Sequence, residues 1–224
     1  DLNTLALFLR ARDRLPEAES VQRRVADIVR TAYGETSQKY AYTLVNLAVT
    51  LTATDRAAAA VPLFRRAVEL QATPGAEKDR IGVLASLAGA QRAMGQPREA
   101  LKSLDAAIEI SKTTPNLDVT YEMGLLIDGN AILALYDLGA DDEAWRIAQN
   151  LFARKGKASA SDAANFNNLL LVSALVASSR GHADEALALV RQAGEAARAI
   201  GQTDRRFVDE WAGLLARYAW QLSR

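Results

Sequence analysis

The sequence predicts an all-α fold of about five helix pairs followed by one further helix. Three observations predict it. About one residue in five of the 224 is alanine, the best helix former and the smallest side chain that still carries a Cβ. The chain resembles itself at a step of about 42 residues, the signature of a repeat architecture. No stretch alternates apolar and polar residues for long enough to read as a strand.

The repeat is anchored on alanine. Ala18, Ala60, Ala100, Ala144 and Ala186 follow one another at steps of 42, 40, 44 and 42 residues. Each closes a Glu-Ala or Ala-Ala pair: Glu17-Ala18, Ala59-Ala60, Glu99-Ala100, Glu143-Ala144 and Glu185-Ala186. Five residues earlier stand Asp13, Asp55, Gly95, Gly139 and Gly181, where a helix needs a left-handed terminating residue. Leu5-Ala6, Leu47-Ala48 and Leu87-Ala88 precede the anchors by thirteen and twelve residues, with Ala131-Ile132 and Ser173-Ala174 as weaker copies. Apolar or small residues three and seven after the anchor (Val21 and Val25, Leu63 and Ala67, Ile147 and Leu151) complete one helical face.

Each unit therefore reads as two antiparallel helices. The first helices fall at about 1–12, 37–53, 78–94, 118–138 and 161–179, with a terminal one at 205–222. The second helices fall at about 15–32, 56–71, 97–112, 141–155 and 183–200. Pro16 and Pro97 suit a first helical turn, and Ala72-Thr73-Pro74-Gly75 and Thr113-Thr114-Pro115-Asn116 break the chain between units. The units run about 1–34, 35–75, 76–115, 116–158 and 159–202, with a terminal helix at 203–224, and the whole of 1–224 reads as one domain. It begins partway into a first helix and ends in a first helix bearing Phe207, Trp211, Tyr218 and Trp220. Solenoid ends normally carry a polar outer face, so this reads as a piece excised from a longer chain whose end helices expose apolar surface.

Composition removes several functions. The 27 Lys and Arg balance 27 Asp and Glu, which argues against a dedicated nucleic-acid binder. No run approaches the roughly 18 apolar residues of a membrane span. The amino terminus lacks a secretory layout, so the expected location is cytoplasmic. With no Cys, disulfide frameworks and thiolate metal sites are excluded. Usage rich in Ala, Arg and Asp fits a bacterial, GC-rich genome.

The small residue of the first helix, the turn glycine and the Glu-Ala pair resemble the tetratricopeptide repeat over essentially the whole chain. The period, nearer 42 than 34, is similar to the long repeats of kinesin light chain and its bacterial relatives. The nearest stretch runs from Glu17 to Leu70 through Tyr33-Gly34, Leu44-Val45-Asn46-Leu47-Ala48 and Leu63-Phe64-Arg65-Arg66-Ala67. The resemblance implies a right-handed α-α superhelix whose first helices line a groove for a peptide. It further implies groove-facing positions at Tyr42, Asn46, Ser86, Arg92, Asn130, Tyr136 and Asn168. Members that hold the acidic end of a chaperone place several Lys and Arg in such positions. Here Arg92 stands alone, so a carboxylate clamp is not expected. An Asn at the positions of Asn46 and Asn130 resembles a peptide-contacting residue, since its amide both donates and accepts. The same amides could instead cap or bridge neighbouring helices.

Catalytic signatures are missing. The single His, His182, sits beside Gly181 in a turn, and Asp141-Asp142-Glu143 opens a helix, where carboxylates meet free N–H groups. No phosphate loop is present. The expectation is a protein-interaction scaffold or sensor module, not an enzyme, without cofactor or metal, binding a protein or peptide partner. Two other classes remain: a homo-oligomer assembled through the terminal helix, or a small-ligand or signal-peptide receptor within a larger regulatory protein.

Overall fold

The five anchor alanines, Ala18, Ala60, Ala100, Ala144 and Ala186, have no accessible surface. Two helix backbones approach closely only where no bulky side chain holds them apart, so these positions set the spacing within each pair. The computed structural model describes residues 2–115, 117, 121–153 and 163–199. In 121–122, 153, 163–168 and 196–199 the description is of the backbone alone. Among the described residues there are ten helices and no strand: α1 Leu2–Ala11, α2 Leu15–Tyr33, α3 Gln38–Ala53, α4 Ala57–Leu70, α5 Glu77–Ala93, α6 Pro97–Thr113, α7 Tyr121–Asp137, α8 Asp141–Ala153, α9 Ala163–Ser179 and α10 Ala183–Ala199. Odd-numbered helices are the expected first helices and even-numbered ones their partners. The expected terminal helix at 203–224, with Phe207, Trp211, Tyr218 and Trp220, lies outside the described residues.

One turn is built five times. Asp13, Asp55, Gly95, Gly139 and Gly181 all adopt positive φ, from 57° to 78°. In each turn the N–H of this residue donates to the carbonyl three residues back, as in Gly95 to Arg92 at 2.8 Å. The next N–H reaches five back, as in Arg56 to Leu51 at 2.9 Å and His182 to Ala177 at 2.9 Å. Those paired bonds satisfy the free carbonyls at a helix end, and only a left-handed residue allows them. Five residues past the left-handed residue, the anchor N–H closes the first bond of the second helix, as in Ala18 to Arg14 at 3.0 Å.

Pro62 falls within the expected second helix of 56–71. It lies inside α4, and the helix continues through it. Its ring removes the bond to the Ala58 carbonyl, and because Pro62 faces solvent, water can meet that carbonyl.

Contacts divide the chain into two compact units, Asp1–Val119 and Thr120–Arg224. In the first, each helix from α1 to α6 packs on the next, and α3 also touches α5. Its core includes Leu44, Leu47, Leu51, Phe64, Leu70 and Leu87 around Ala48, Ala60 and Ala67. Within the second unit, α7 packs on α8 and α9, α8 on α9, and α9 on α10. Ile132, a bulky residue in a small-residue column, is fully buried there.

Two polar features cut across the apolar packing. Glu19 on α2 accepts both Nη atoms of Arg56, at 2.8 and 2.9 Å, and also binds Arg23 at 2.9 Å. The Arg56 bonds hold its carboxyl below the ordinary value against the opposing effect of burial, with Arg23 adding to them. This tie joins the first helix pair to the second, and it is present above the ordinary carboxylate range and lost as pH falls through the depressed value. Gln22, by contrast, is buried with neither amide atom hydrogen-bonded among the described residues, at a register held elsewhere by Phe64 and Leu104. Burying an amide without partners costs about 1–3 kcal/mol.

Gln22→Leu is accordingly expected to raise the unfolding free energy by about 1–3 kcal/mol in urea titration, since it removes the unsatisfied amide. Gly95→Ala is expected to lower it by about 1–2 kcal/mol, because a Cβ there meets no atom within 4 Å and the cost is purely that of the left-handed backbone.

Candidate functional site

Tyr42 and Asn46 stand one turn apart on α3, hence on the same face. Asp79 in the first turn of α5 and Ser86 further along share a face of the neighbouring first helix. The exposed Tyr42 hydroxyl donates to the Asp79 carboxylate and so links the two helices. That bond, assisted by partial burial and by the charge of Asp79, pushes the phenol above its ordinary value. Asp79 was not expected at the site. The only sequence signal is an acidic residue in the first turn of a first helix, which serves equally well as a partner to the helix dipole.

Asn46 is half buried. Its carbonyl accepts from Thr50 Oγ1 at 3.3 Å, but among the described residues its side-chain amide has no hydrogen-bond partner. Ser86 differs: its hydroxyl donates to Gly82 O at 2.9 Å, within its own helix. Arg92 lies half buried in the last turn of α5. Tyr42, Asn46, Ser86 and Arg92 thus fall on α3 and α5 of the first unit.

The other expected positions belong to the second unit. Asn130 Nδ2 donates to Leu126 O at 2.9 Å, one turn back on α7. Tyr136 is half buried near the end of the same helix. Asn168 is on α9, but its side chain lies outside the described residues, as do those of Asn165 and Asn167. Asn46 and Asn130 therefore share a register without sharing an environment.

The groups considered for catalysis are engaged in local structure. His182 Nδ1 lies 3.2 Å from Glu185 Oε2, and both are about half exposed. Asp141, Asp142 and Glu143 form the first turn of α8, and Asp142 accepts from Arg180 Nε at 2.9 Å. Arg23, Arg24, Arg65 and Arg66 are all exposed on second helices, as expected of a solvated outer face. Among the described residues no group of acidic and His side chains could hold a metal ion, and no helix is long and apolar enough to cross a membrane.

These helix pairs, each closed by the same left-handed turn and a buried alanine, define an α-helical repeat protein. The tetratricopeptide repeat family model matches residues 2–73, the first two helix pairs, and the all-α repeat fold is similar to that of long, kinesin-light-chain-like repeats. The crystal structure of kinesin light chain nearly identical TPR-like repeats from Podosopora anserina superposes with a TM-score of 0.66 at 22% identity, covering 91% of this chain and 95% of that one. BtubC (BKLC) from P. vanneervenii gives 0.69 at 16% identity, with 91% and 81% covered. The Rap conjugation gene regulator of the plasmid pLS20, in complex with the Phr* peptide, gives 0.72 at 13% identity. There the chain is covered over 95% of its length and spans 61% of the regulator. Likeness at these identities establishes the shared fold. Comparison with curated protein sequences finds no match.

The Tyr42–Asp79 bond can be read in solution. The phenol of Tyr42 is expected to ionise above the ordinary tyrosine value in ultraviolet titration, and Asp79→Asn should bring it down. The stability it contributes is complete below the unfolded phenol pKa and is lost as pH rises through the folded one.

Proposed function

We propose that this chain is a binding module rather than an enzyme, and that the α3–α5 face of the first unit holds a peptide segment of a partner protein. The observation that carries the reading is the Asn46 amide, half buried and, among the described residues, without a hydrogen-bond partner, on one face with Tyr42. An amide so placed donates to a carbonyl and accepts from an N–H, which pairs it with the main chain of an extended ligand whatever its side chains. Tyr42, fixed by Asp79, would form an apolar wall beside that strand. The Asp79 carboxylate would favour a cationic group on the ligand over an acidic one, in keeping with the lack of a lysine-rich clamp.

The fold shared with a Rap regulator in complex with the Phr* peptide supports a peptide ligand in general. The balanced net charge supports a protein partner over nucleic acid. Asn130, Tyr136 and Asn168 are proposed as the corresponding contacts in the second unit, with Ser86 and Arg92 flanking Asn46 in the first.

The test is selection of peptides from a random displayed library on the immobilised chain, followed by titration against variants. Asn46→Ala is expected to weaken the selected peptides about tenfold or more, or about 1.4 kcal/mol, while Arg146→Ala on α8 leaves them unchanged. Selected peptides that bind Asn46→Ala as tightly as the parent chain would remove this reading.

A further inference from the structure

Glycine inside a helix is unfavourable relative to almost any side chain that could take its place. Gly82 is the sixth residue of α5, well inside the helix. A Cβ built on it would meet no atom within 4 Å, so close packing does not account for the glycine. Gly82 stands eighteen residues before its anchor, the register held on α3 by the exposed Tyr42. Asp79 lies one turn before Gly82, hence on the same face, and receives the Tyr42 hydroxyl on Oδ2. Three features therefore meet at one place: an aromatic wall, a bare stretch of helix as a floor, and a negative charge at the end.

The carboxylate is only half used. Tyr42 takes Oδ2, and among the described residues Oδ1 has neither a hydrogen bond nor an ion pair, although Lys78 and Arg80 adjoin it in the chain. An ionised carboxylate accepts at both oxygens, so this one has capacity left for a cationic donor.

The molecule already holds a guanidinium in such a setting. In the second unit the Arg180 guanidinium carbon lies 5.8 Å from the Trp145 ring centre, while its Nε donates to Asp142 Oδ1 at 2.9 Å. Between ring and carboxylate the Arg180 side chain is only 23% exposed. Such a pair suits arginine, whose flat, weakly hydrated cation stacks on a ring while its N–H fork meets the carboxylate. Lysine offers the charge without the plane.

We propose that Tyr42, Gly82 and Asp79 form a slot for one arginine side chain of the bound peptide. This slot rests on the α3–α5 face being a peptide site, and it names the side chain that site selects. The guanidinium would lie against the Tyr42 ring, with its aliphatic stem over Gly82 and an N–H on Asp79 Oδ1. The Tyr42–Asp79 bond holds ring and carboxylate in place beforehand, so neither needs ordering on binding. Asn46, one turn further along α3, would hold the adjoining main chain of the peptide.

The probe is the tightest peptide selected from a random displayed library on the full chain, labelled and titrated by fluorescence anisotropy. Its companions carry lysine, or citrulline, in place of arginine; citrulline keeps the shape and loses the charge. One arginine position is expected to recur among the selected peptides. Citrulline there should weaken binding about tenfold or more, and in Asp79→Asn the same replacement should have little further effect. Tyr42→Leu removes the ring and should erase the preference for arginine over lysine. Gly82→Leu should weaken the arginine peptide about tenfold, while circular dichroism shows full helix content, since leucine is the better helix former. Selected peptides that lose affinity with Asn46→Ala but share no arginine would leave the peptide face standing and overturn the slot. An arginine that matters equally in Asp79→Asn would do the same. Arginine peptides coupled to Asp79 but indifferent to Asn46→Ala would uphold the slot and remove the main-chain contact. Selection of no peptide would overturn both.

Discussion

Everything in this fold depends on alanine meeting helix backbone at the same register in every pair. A larger residue at Ala60 or Ala144 would push the two helices apart, and the apolar side chains three and seven residues on would lose their contacts together. The five-fold turn has meaning only because of that packing. It returns the chain at a fixed offset, so that the anchor, five residues beyond the left-handed residue, always lands against the first helix. Geometry and composition constrain each other here: the turn places the alanine, and the alanine permits the approach.

Polar groups then distinguish units that share a backbone plan. Asn46 and Asn130 occupy one register, yet the first leaves its side-chain amide open and the second returns a bond to Leu126. Glu19 and Arg56 link the first pair to the second, whereas the later turns carry Gln96, Ala140 and His182 at the register of Arg56. The repeat is uniform where it packs and individual where it meets solvent or ligand. That division lets a single scaffold vary what it binds without altering how it folds.

Periodicity made the helices legible, because burial at i, i+3 and i+7 leaves an imprint that composition cannot hide. Ala18 to Ala186, the left-handed Asp13 and Asp55, and the helix limits to within a few residues all follow from it. The helix of 56–71 follows too, although Pro62 runs against local propensity and is tolerated there because its side faces solvent. Gln22 was hidden: its register is an apolar one, and nothing in one sequence announces a buried amide without a partner. The Tyr42–Asp79 link depends on the distance between two helices 37 residues apart in sequence, which no local pattern encodes.

The Glu19–Arg56 tie has a consequence for how the molecule comes apart. In a quasi-one-dimensional stack, cooperativity resides in the couplings between neighbouring repeats rather than in the repeats themselves. The first pair packs on the second through α2 and α3. Protonating one carboxylate weakens that coupling while leaving both helices their internal bonds. Acid below the ordinary carboxylate range would therefore loosen the first pair from the second before it melts either one.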